Sequence, residues 1–380
     1  MTLLHAAHRP RSAARLSARE ALELYGDCSI HELGRRAHAE TLRLHPEPYR
    51  TYVVDRNINY ANYCTARCIF CDFKADPPGM DTGRKDLPPG YVLSFEEIGR
   101  KIDELIAVGG TQILMQGGLV PAEMLSFQWY LDLLRFIKRE YPAIHVHAFS
   151  PPEIHAFHQV FRMSVRDVLL RLQEAGLDSI PGGGAEILVD RVRRRIAQGK
   201  TTTEEYLTVM REAHRIGMRT SITMMFGHIE TLEERVEHLQ RIRELQDETG
   251  GFTAFICWTF QPGNTPLGRV RSRPTSVRGE PDGRHLLLAD ATEYLRMTAV
   301  SRLFLDNIDN VQSSWVTQGP KVGQLALYFG ANDMGSVMME ENVVSAAGTT
   351  YRLTEEQIRK AIEGAGWVPR KRNFYYDLLD

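Results

Sequence analysis

Short apolar runs alternate with longer stretches of helical periodicity through most of the chain. Eight runs have the dense apolar and β-branched character of buried strands: Arg56–Tyr60, Gln112–Gln116, His145–Phe149, Leu177–Ile180, Thr220–Phe226, Thr253–Trp258, Asn310–Ser313 and Gln324–Phe329. Between them, apolar positions recur at three- and four-residue spacing, and several of these stretches open on a capping signature. Ser94 precedes Glu97 by three positions, Thr202 precedes Glu205 and Thr231 precedes Glu234. In each pair the hydroxyl can accept the third helical N–H while the carboxylate reaches back.

Repeated strand–helix alternation predicts parallel pairing, because returning to a parallel neighbour needs a crossover helix. The expected fold is therefore α/β, a (β/α)8 TIM-type barrel, with an open six-strand version as the alternative. Residues 1–50 read as an N-terminal helical lead-in, 51–350 as the barrel, and 351–380 as a C-terminal helix (354–366) and polar tail. The arginine-rich, proline- and glycine-containing segment Val270–Asp282 reads as a solvated loop. Chemistry in such barrels sits at the C-terminal ends of the strands. Several runs here do end in polar or glycine-rich clusters: Gln116, Gly117 and Gly118; Gly182, Gly183 and Gly184; Gly227 and His228; Asn332 and Asp333.

Composition narrows the function class. The 380 residues are 43% hydrophobic and 9% aromatic, enough for a full barrel core. A net charge of -2 gives neither a nucleic-acid field nor a polybasic membrane patch, so neither partner is expected. No apolar run approaches the roughly 20 residues of a spanning helix. The basic, acid-poor start MTLLHAAHRPRSAARLS lacks the apolar stretch of a secretory signal and reads as a lead into the first helix. Five cysteines, three of them within eight residues, do not form a disulfide framework, and a reducing, cytoplasmic setting is expected.

Those three cysteines are the most specific feature. Cys64, Cys68 and Cys71 lie in C-T-A-R-C-I-F-C, just past the first predicted barrel strand. Most 4Fe–4S clusters take four cysteines, so three ligands would leave one iron open, much as catalytic metal sites keep one position free. A zinc site would want a fourth Cys or His nearby, and His145 and His147 are distant in sequence. A redox pair at Cys68 and Cys71 lacks the thioredoxin-like context. Three buried structural cysteines on one loop would be an unusual product of packing alone.

The CxxxCxxC spacing, with aromatic Phe70 before the last cysteine, resembles the radical S-adenosylmethionine superfamily. The resemblance implies a 4Fe–4S cluster held by Cys64, Cys68 and Cys71, with S-adenosyl-L-methionine on the open iron. It implies that Gln116, Gly117 and Gly118 receive the cofactor's amino group, and that Phe70 lies beside the adenine. Glu186 would accept the ribose hydroxyls, and one of Arg193, Arg194 and Arg195, with Arg195 as the candidate, would meet the cofactor carboxylate. Further runs at 57–60, 109–118, 185–188, 315–319, 330–333 and 340–345 resemble a narrow branch of enzymes. It includes the FO synthase subunits, aminofutalosine synthase and cyclic dehypoxanthinyl futalosine synthase, and the runs 150–154, 182–186 and 247–252 are most similar to the last of these. Asp72 and Cys257 depart from that pattern, at positions expected near the pocket. The resemblance implies a small-molecule substrate, dehypoxanthine futalosine, in menaquinone biosynthesis, and a low-potential electron donor such as flavodoxin or ferredoxin. Ring closure would need a base, and His228, Glu153 and Asp333 are candidates because they fall at predicted strand ends. Gln318, Asn332 and Ser345 are candidate donors to the substrate benzoate.

Overall fold

The computed structural model describes residues 15–270, 272–274 and 286–379. Most of the predicted loop Val270–Asp282, and the start of the chain before residue 15, lie outside the described residues. The strands, in order, are β1 (Tyr49–Val53), β2 (Asp55–Ile58), β3 (Arg67–Cys68), β4 (Gln112–Met115) and β5 (His145–Ala148). β6 (Ser179–Ile180), β7 (Ala197–Gln198), β8 (Arg219–Phe226), β9 (Phe252–Thr259) and β10 (Ser272–Pro274) follow. The last are β11 (Leu286–Leu288), β12 (Asn310–Gln312), β13 (Asp333–Ser336) and β14 (Val368–Lys371).

Ten of these form one parallel sheet in the order β14, β1, β13, β12, β9, β8, β6, β5, β4, β2. A single residue, Val54, separates β1 from β2, so two strands far apart in that order are consecutive parts of one extended segment. The β1 half pairs with β13 through Thr51 and Asp333, and the β2 half pairs with β4 through Asn57 and Leu114. Pairing thus runs round a circuit of eight strands, the expected barrel. Along this segment Val53, Asp55, Asn57 and Asn59 line the interior cavity, while Arg56 faces outward to Glu104 and Glu340. That is the period of two of a β-strand.

The predicted caps form. Ser94, Thr202 and Thr231 each begin a helix with a reciprocal capping box to Glu97, Glu205 and Glu234. The lead-in is two helices, Ala18–Asp27 and Ile30–Leu44, which pack on helix Ala291–Phe304. Tyr25 and Arg235 both donate to Glu293 there, at 2.5 and 2.6 Å.

Two expectations need correction. The run Gln324–Phe329 is not a strand: Pro320 opens a helix, Pro320–Ala326, that includes its first residues. The eighth barrel strand is instead β13, whose sequence Asp-Met-Gly-Ser has too few apolar residues to register as a buried strand. The polar tail after helix Glu355–Gly364, expected outside the barrel, joins its sheet. It supplies β14 beside β1, and Lys371 Nζ donates to the Gly109 carbonyl. Phe374 then stacks on His145 with ring centroids 4.9 Å apart, and Arg372, Phe374 and Tyr376 line the cavity, closing the barrel floor.

Candidate functional site

The cysteine loop leaves the C-terminal end of β2 and is pinned on several sides. Cys64 Sγ accepts the Leu119 N–H at 3.2 Å, and the Thr65 N–H donates to the Leu119 carbonyl. Cys68 pairs antiparallel with Ala197 in the β3–β7 ribbon, and the Leu267 N–H donates to the Ile69 carbonyl. Cys68 is buried, and Cys64 and Cys71 are half-buried. Among the described residues no three Cys, His, Asp or Glu groups gather closely enough for one metal ion. Ligands of a four-iron cube are spaced more widely than those of one ion, so the loop suits a cluster better than zinc. Burial pushes the Cys68 thiol well above its ordinary pKa, with Lys200 opposing. A thiolate there needs compensating positive charge, which bound iron supplies.

The glycine turn after β4 lies directly against this loop. A Cβ at Gly118 would lie 2.8 Å from Cys64 Cβ and would press still closer on the Tyr63 carbonyl oxygen. A Cβ at Gly117 would lie 2.6 Å from Cε2 of the Tyr60 ring. Glycine at both positions is set by close approach. The Gln116 side chain lies over Gly183, so the turn after β4 and the triple glycine after β6 meet in the cavity wall.

Glu186 follows the triple glycine with φ 41°, a left-handed conformation uncommon for a residue with a side chain. Its Oε1 accepts from Lys200 Nζ at 2.9 Å, while Oε2 is buried with no hydrogen-bond partner and Arg193 Nη1 stands off at 3.6 Å. An unpaired buried carboxylate oxygen is costly unless a ligand donates to it. Lys200 also lies 5.5 Å from the centroid of Phe70 and contacts the Cys68 field electrostatically. Burial would lower the Lys200 pKa, but Glu186 holds it above the ordinary value. Three thiols, a glycine cradle and an unpaired carboxylate oxygen at one barrel mouth fit a cluster with a hydroxyl-bearing cofactor.

Below this mouth is a cavity of about 300 Å³. Its wall includes Asn57 and Gln112, each with a buried amide oxygen that has no partner, and Trp258, Trp315 and Met338. Asp55 also lines it, held by the Ser336 hydroxyl and by Gln112 Nε2 at 3.1 Å. On the floor, Arg372 makes a two-point pair with Asp333: Nε to Oδ2 at 2.7 Å and Nη2 to Oδ1 at 3.0 Å.

The structure separates the proposed bases from the cavity. Glu153 is buried behind the glycine turn and accepts four hydrogen bonds. They come from the Tyr60 hydroxyl (2.7 Å), the Gly117 N–H (3.0 Å), and the Ser150 N–H (2.8 Å) and hydroxyl (2.6 Å). It fastens the turn and does not face the cavity, and burial raises its pKa against those four donors. His228 is fully buried in the loop after β8. Its Nε2 lies 3.1 Å from the Met225 carbonyl, and Nδ1 lies 2.8 Å from the Ile229 nitrogen and 2.9 Å from Glu230 Oε2. Asp333 begins its strand at the floor, where the Thr51 hydroxyl, Gly335 N–H and Arg372 occupy it. None of the three is placed as a base.

Other expectations move as well. Arg195 is exposed on helix Asp190–Ile196 and does not line the cavity. Arg193 is the buried one, but its donors go to the Ala185, Gly184 and Thr201 carbonyls and the Thr201 hydroxyl. The cation beside Glu186 and the cysteine loop is thus Lys200. Gln318, Asn332 and Ser345 lie off the cavity: Gln318 donates to Thr259, Asn332 is bound to Arg302 and Val311, and Ser345 caps on Glu341. Asp72 pairs with Arg84, and Cys257 packs against Thr298, so neither departure reaches the cavity. Asn57 and Glu341 fall in the runs 57–60 and 340–345 but were given no role from sequence, and Lys200, Asp55 and Arg372 were not singled out at all. For Asn57 the strand alternation was a further signal; for Lys200 and Arg372 there was none.

Comparison with known proteins agrees with this architecture. The radical SAM superfamily model matches residues 58–242, and the CofH/MqnC C-terminal region model matches 249–380. The cyclic dehypoxanthine futalosine synthase of Halalkalibacterium halodurans is 46% identical over 371 residues, covering 98% of this chain and 93% of that one. The enzyme of the same name from Streptomyces coelicolor is 40% identical over 98% of this chain and 87% of its own. A 5-amino-6-(D-ribitylamino)uracil–L-tyrosine 4-hydroxyphenyl transferase of Methanosarcina mazei is also 40% identical, over 86% of this chain and 81% of its own. Among solved structures, methylornithine synthase superposes with a TM-score of 0.70 at 17% identity, covering 94% of this chain and 95% of that one. At that identity the likeness speaks for the fold alone.

Proposed function

The chain belongs to the radical S-adenosylmethionine superfamily and, within it, to the CofH/MqnC family, and from that premise we propose that it cyclises dehypoxanthine futalosine in menaquinone biosynthesis. The observation that carries the reading is similarity to two enzymes of that name along 98% of the chain. In this reading C4′ of the sugar becomes bonded to the benzoate ring. The substrate loses one hydrogen atom, then one proton and one electron.

Cys64, Cys68 and Cys71 would hold the 4Fe–4S cluster, and Gln116, Gly117, Gly118, Glu186 and Phe70 would hold S-adenosylmethionine. When bound, the pair supplies a carbon radical able to take a hydrogen atom from the sugar. The rest is the work of the chain. Glu186 Oε2, which no group of the protein satisfies, would accept from the cofactor hydroxyls, with Lys200 fixing its other oxygen. Glu153 and Tyr60 hold the glycine turn in place. Asn57 and Gln112 offer acceptors to the hydroxyl-rich substrate, and the enclosed wall of Trp258, Trp315 and Met338 keeps water from a reactive carbon. A one-electron donor of the flavodoxin or ferredoxin class would reduce the cluster. The free cysteines suit a reducing, cytoplasmic compartment. Among the described residues no helix is long and apolar enough to cross a membrane.

The second reading is the hydroxyphenyl transferase reaction, favoured by the equal 40% identity of the Methanosarcina mazei and Streptomyces coelicolor enzymes. Anaerobic incubation of the reconstituted protein with dithionite, S-adenosylmethionine and each candidate substrate separates them. Cyclised product from dehypoxanthine futalosine is the expected result. Formation of 5′-deoxyadenosine without that product would overturn the substrate assignment.

A further inference from the structure

Ring closure onto an aromatic ring leaves a proton to be removed. Among the groups lining the cavity, Asp55, His147, Glu186 and Glu341 have the chemistry to take it. His147 stands low in the barrel, between Ser179 (2.7 Å) and the Phe374 ring (4.7 Å), and burial pushes its pKa well down, making it a poor base. Asp55 is tied to Ser336 and Gln112 in the same lower layer as the Asp333–Arg372 pair. Glu186 is held by Lys200 at the cofactor end.

Glu341 differs from all three. It stands in the loop after β13, at the C-terminal end of the barrel, where this fold places its chemistry. Its carboxylate accepts three backbone N–H groups, from Val343 (3.1 Å), Val344 (2.9 Å) and Ser345 (2.7 Å), which fix its orientation. The adjacent Glu340 is neutralised by Arg56 and Lys101, at 2.9 and 2.7 Å, on the outer side. Glu341 has no such ion pair among the described residues, and Arg352 acts on it only at longer range.

We propose that Glu341 is the general base of ring closure, an assignment that rests on the cyclase reading above. Once the sugar carbon has bonded to the ring, that ring carbon carries both the new C–C bond and its original hydrogen. The carboxylate forms an O–H bond as the C–H bond breaks, and the C–H electron pair enters the ring π system. The ring would then give up its surplus electron to a one-electron acceptor of the oxidised iron–sulfur class, restoring aromaticity. Burial raises the Glu341 pKa above the ordinary carboxylate value against those three N–H donors, the direction that improves a general base.

The test compares wild type with Glu341→Gln and Glu341→Asp, all cluster-loaded. Wild type must first give cyclised product; if it does not, the cyclase reading fails, and the Glu341 assignment with it. Given product, Glu341→Gln should lower the ratio of cyclised product to 5′-deoxyadenosine by about 100-fold or more. Its affinity for dehypoxanthine futalosine, titrated on the oxidised protein without reductant, should stay within about threefold of wild type. Glu341→Asp should restore part of the ratio. A product ratio near wild type in Glu341→Gln would overturn the proposal. So would loss of substrate affinity or of cofactor cleavage in both variants, because the residue would then bind or build the site.

Discussion

Gly118→Ala is the most direct probe of how the cysteine loop and glycine turn depend on each other. The added Cβ would lie 2.8 Å from Cys64 Cβ and from the Tyr63 carbonyl carbon, and nearer still to that carbonyl's oxygen. Carbon atoms settle at about 3.5 to 4.0 Å, so the two segments must part by roughly 0.7 Å or more. The obstructing atoms are backbone and a Cβ, not the far end of a flexible side chain. The loop is also tied by the Cys64–Leu119 and Thr65–Leu119 contacts, which would stretch together. Overpacking of this kind costs about 1 to 3 kcal/mol, or roughly a 5- to 150-fold change in an equilibrium constant. We expect the cost to fall on the cofactor site. S-adenosylmethionine affinity should weaken within that range, and iron should be lost faster to a chelator, while circular dichroism keeps the barrel signature. Gly26→Ala is the control, because a Cβ there meets nothing within 4 Å and replaces a helical glycine. Wild-type affinity and iron retention in Gly118→Ala would refute the close-approach argument.

Glu186→Gln should weaken S-adenosylmethionine binding by about 10- to 100-fold, measured by equilibrium dialysis, since it removes a charged acceptor and leaves Lys200 unpaired. Asp333→Asn leaves Arg372 charged and buried at the floor, and should cost about 3 to 5 kcal/mol in urea unfolding. An unchanged midpoint would mean that the pair is not fixed as described. Glu230 gives a pH dependence. Burial alone would raise its pKa, but His228, Arg235 and the Gly227 N–H hold it well below the usual carboxylate range. A depressed carboxylate stabilises the fold above its unfolded pKa of about 4.3, and this is lost as pH falls below that value. Thermal midpoints should therefore drop in acid for wild type and less steeply for Glu230→Gln.

The barrel was legible because its strands are apolar and its helices are capped by side chains close in sequence. Seven runs map onto strands within a few residues. The eighth misled because Gln-Leu-Ala-Leu-Tyr-Phe is dense in apolar residues yet follows Pro320, a helix opener, whereas the true strand is short and polar. The cysteines, the glycine turn and Glu186 were readable as local motifs. The base was not. Glu153, His228 and Asp333 fall near strand ends, yet each is absorbed by partners within the fold: Tyr60 and Ser150, Met225 and Glu230, and Arg372. Lys200 comes to Glu186 from 14 residues away and Arg372 to Asp333 from 39, contacts that no spacing rule announces.

The extended segment through Val54 has a consequence for how the chain can change. Both barrel seams hang on ten residues, Tyr49–Ile58, and the sign of every side chain there is a matter of parity. One residue inserted at Val54, with the β1 pairing kept and the backbone running on extended without a bulge, would slip β2 by one position against β4. That slip would turn Asp55, Asn57 and Asn59 out toward the helices and swing Arg56, with the charges it holds on Glu104 and Glu340, into the cavity. An inserted pair would restore the sides but shift one seam by a full repeat against the other. This stretch therefore behaves as a reading frame: substitutions can be absorbed singly, whereas a change of length alters the pocket and the outer charge network together.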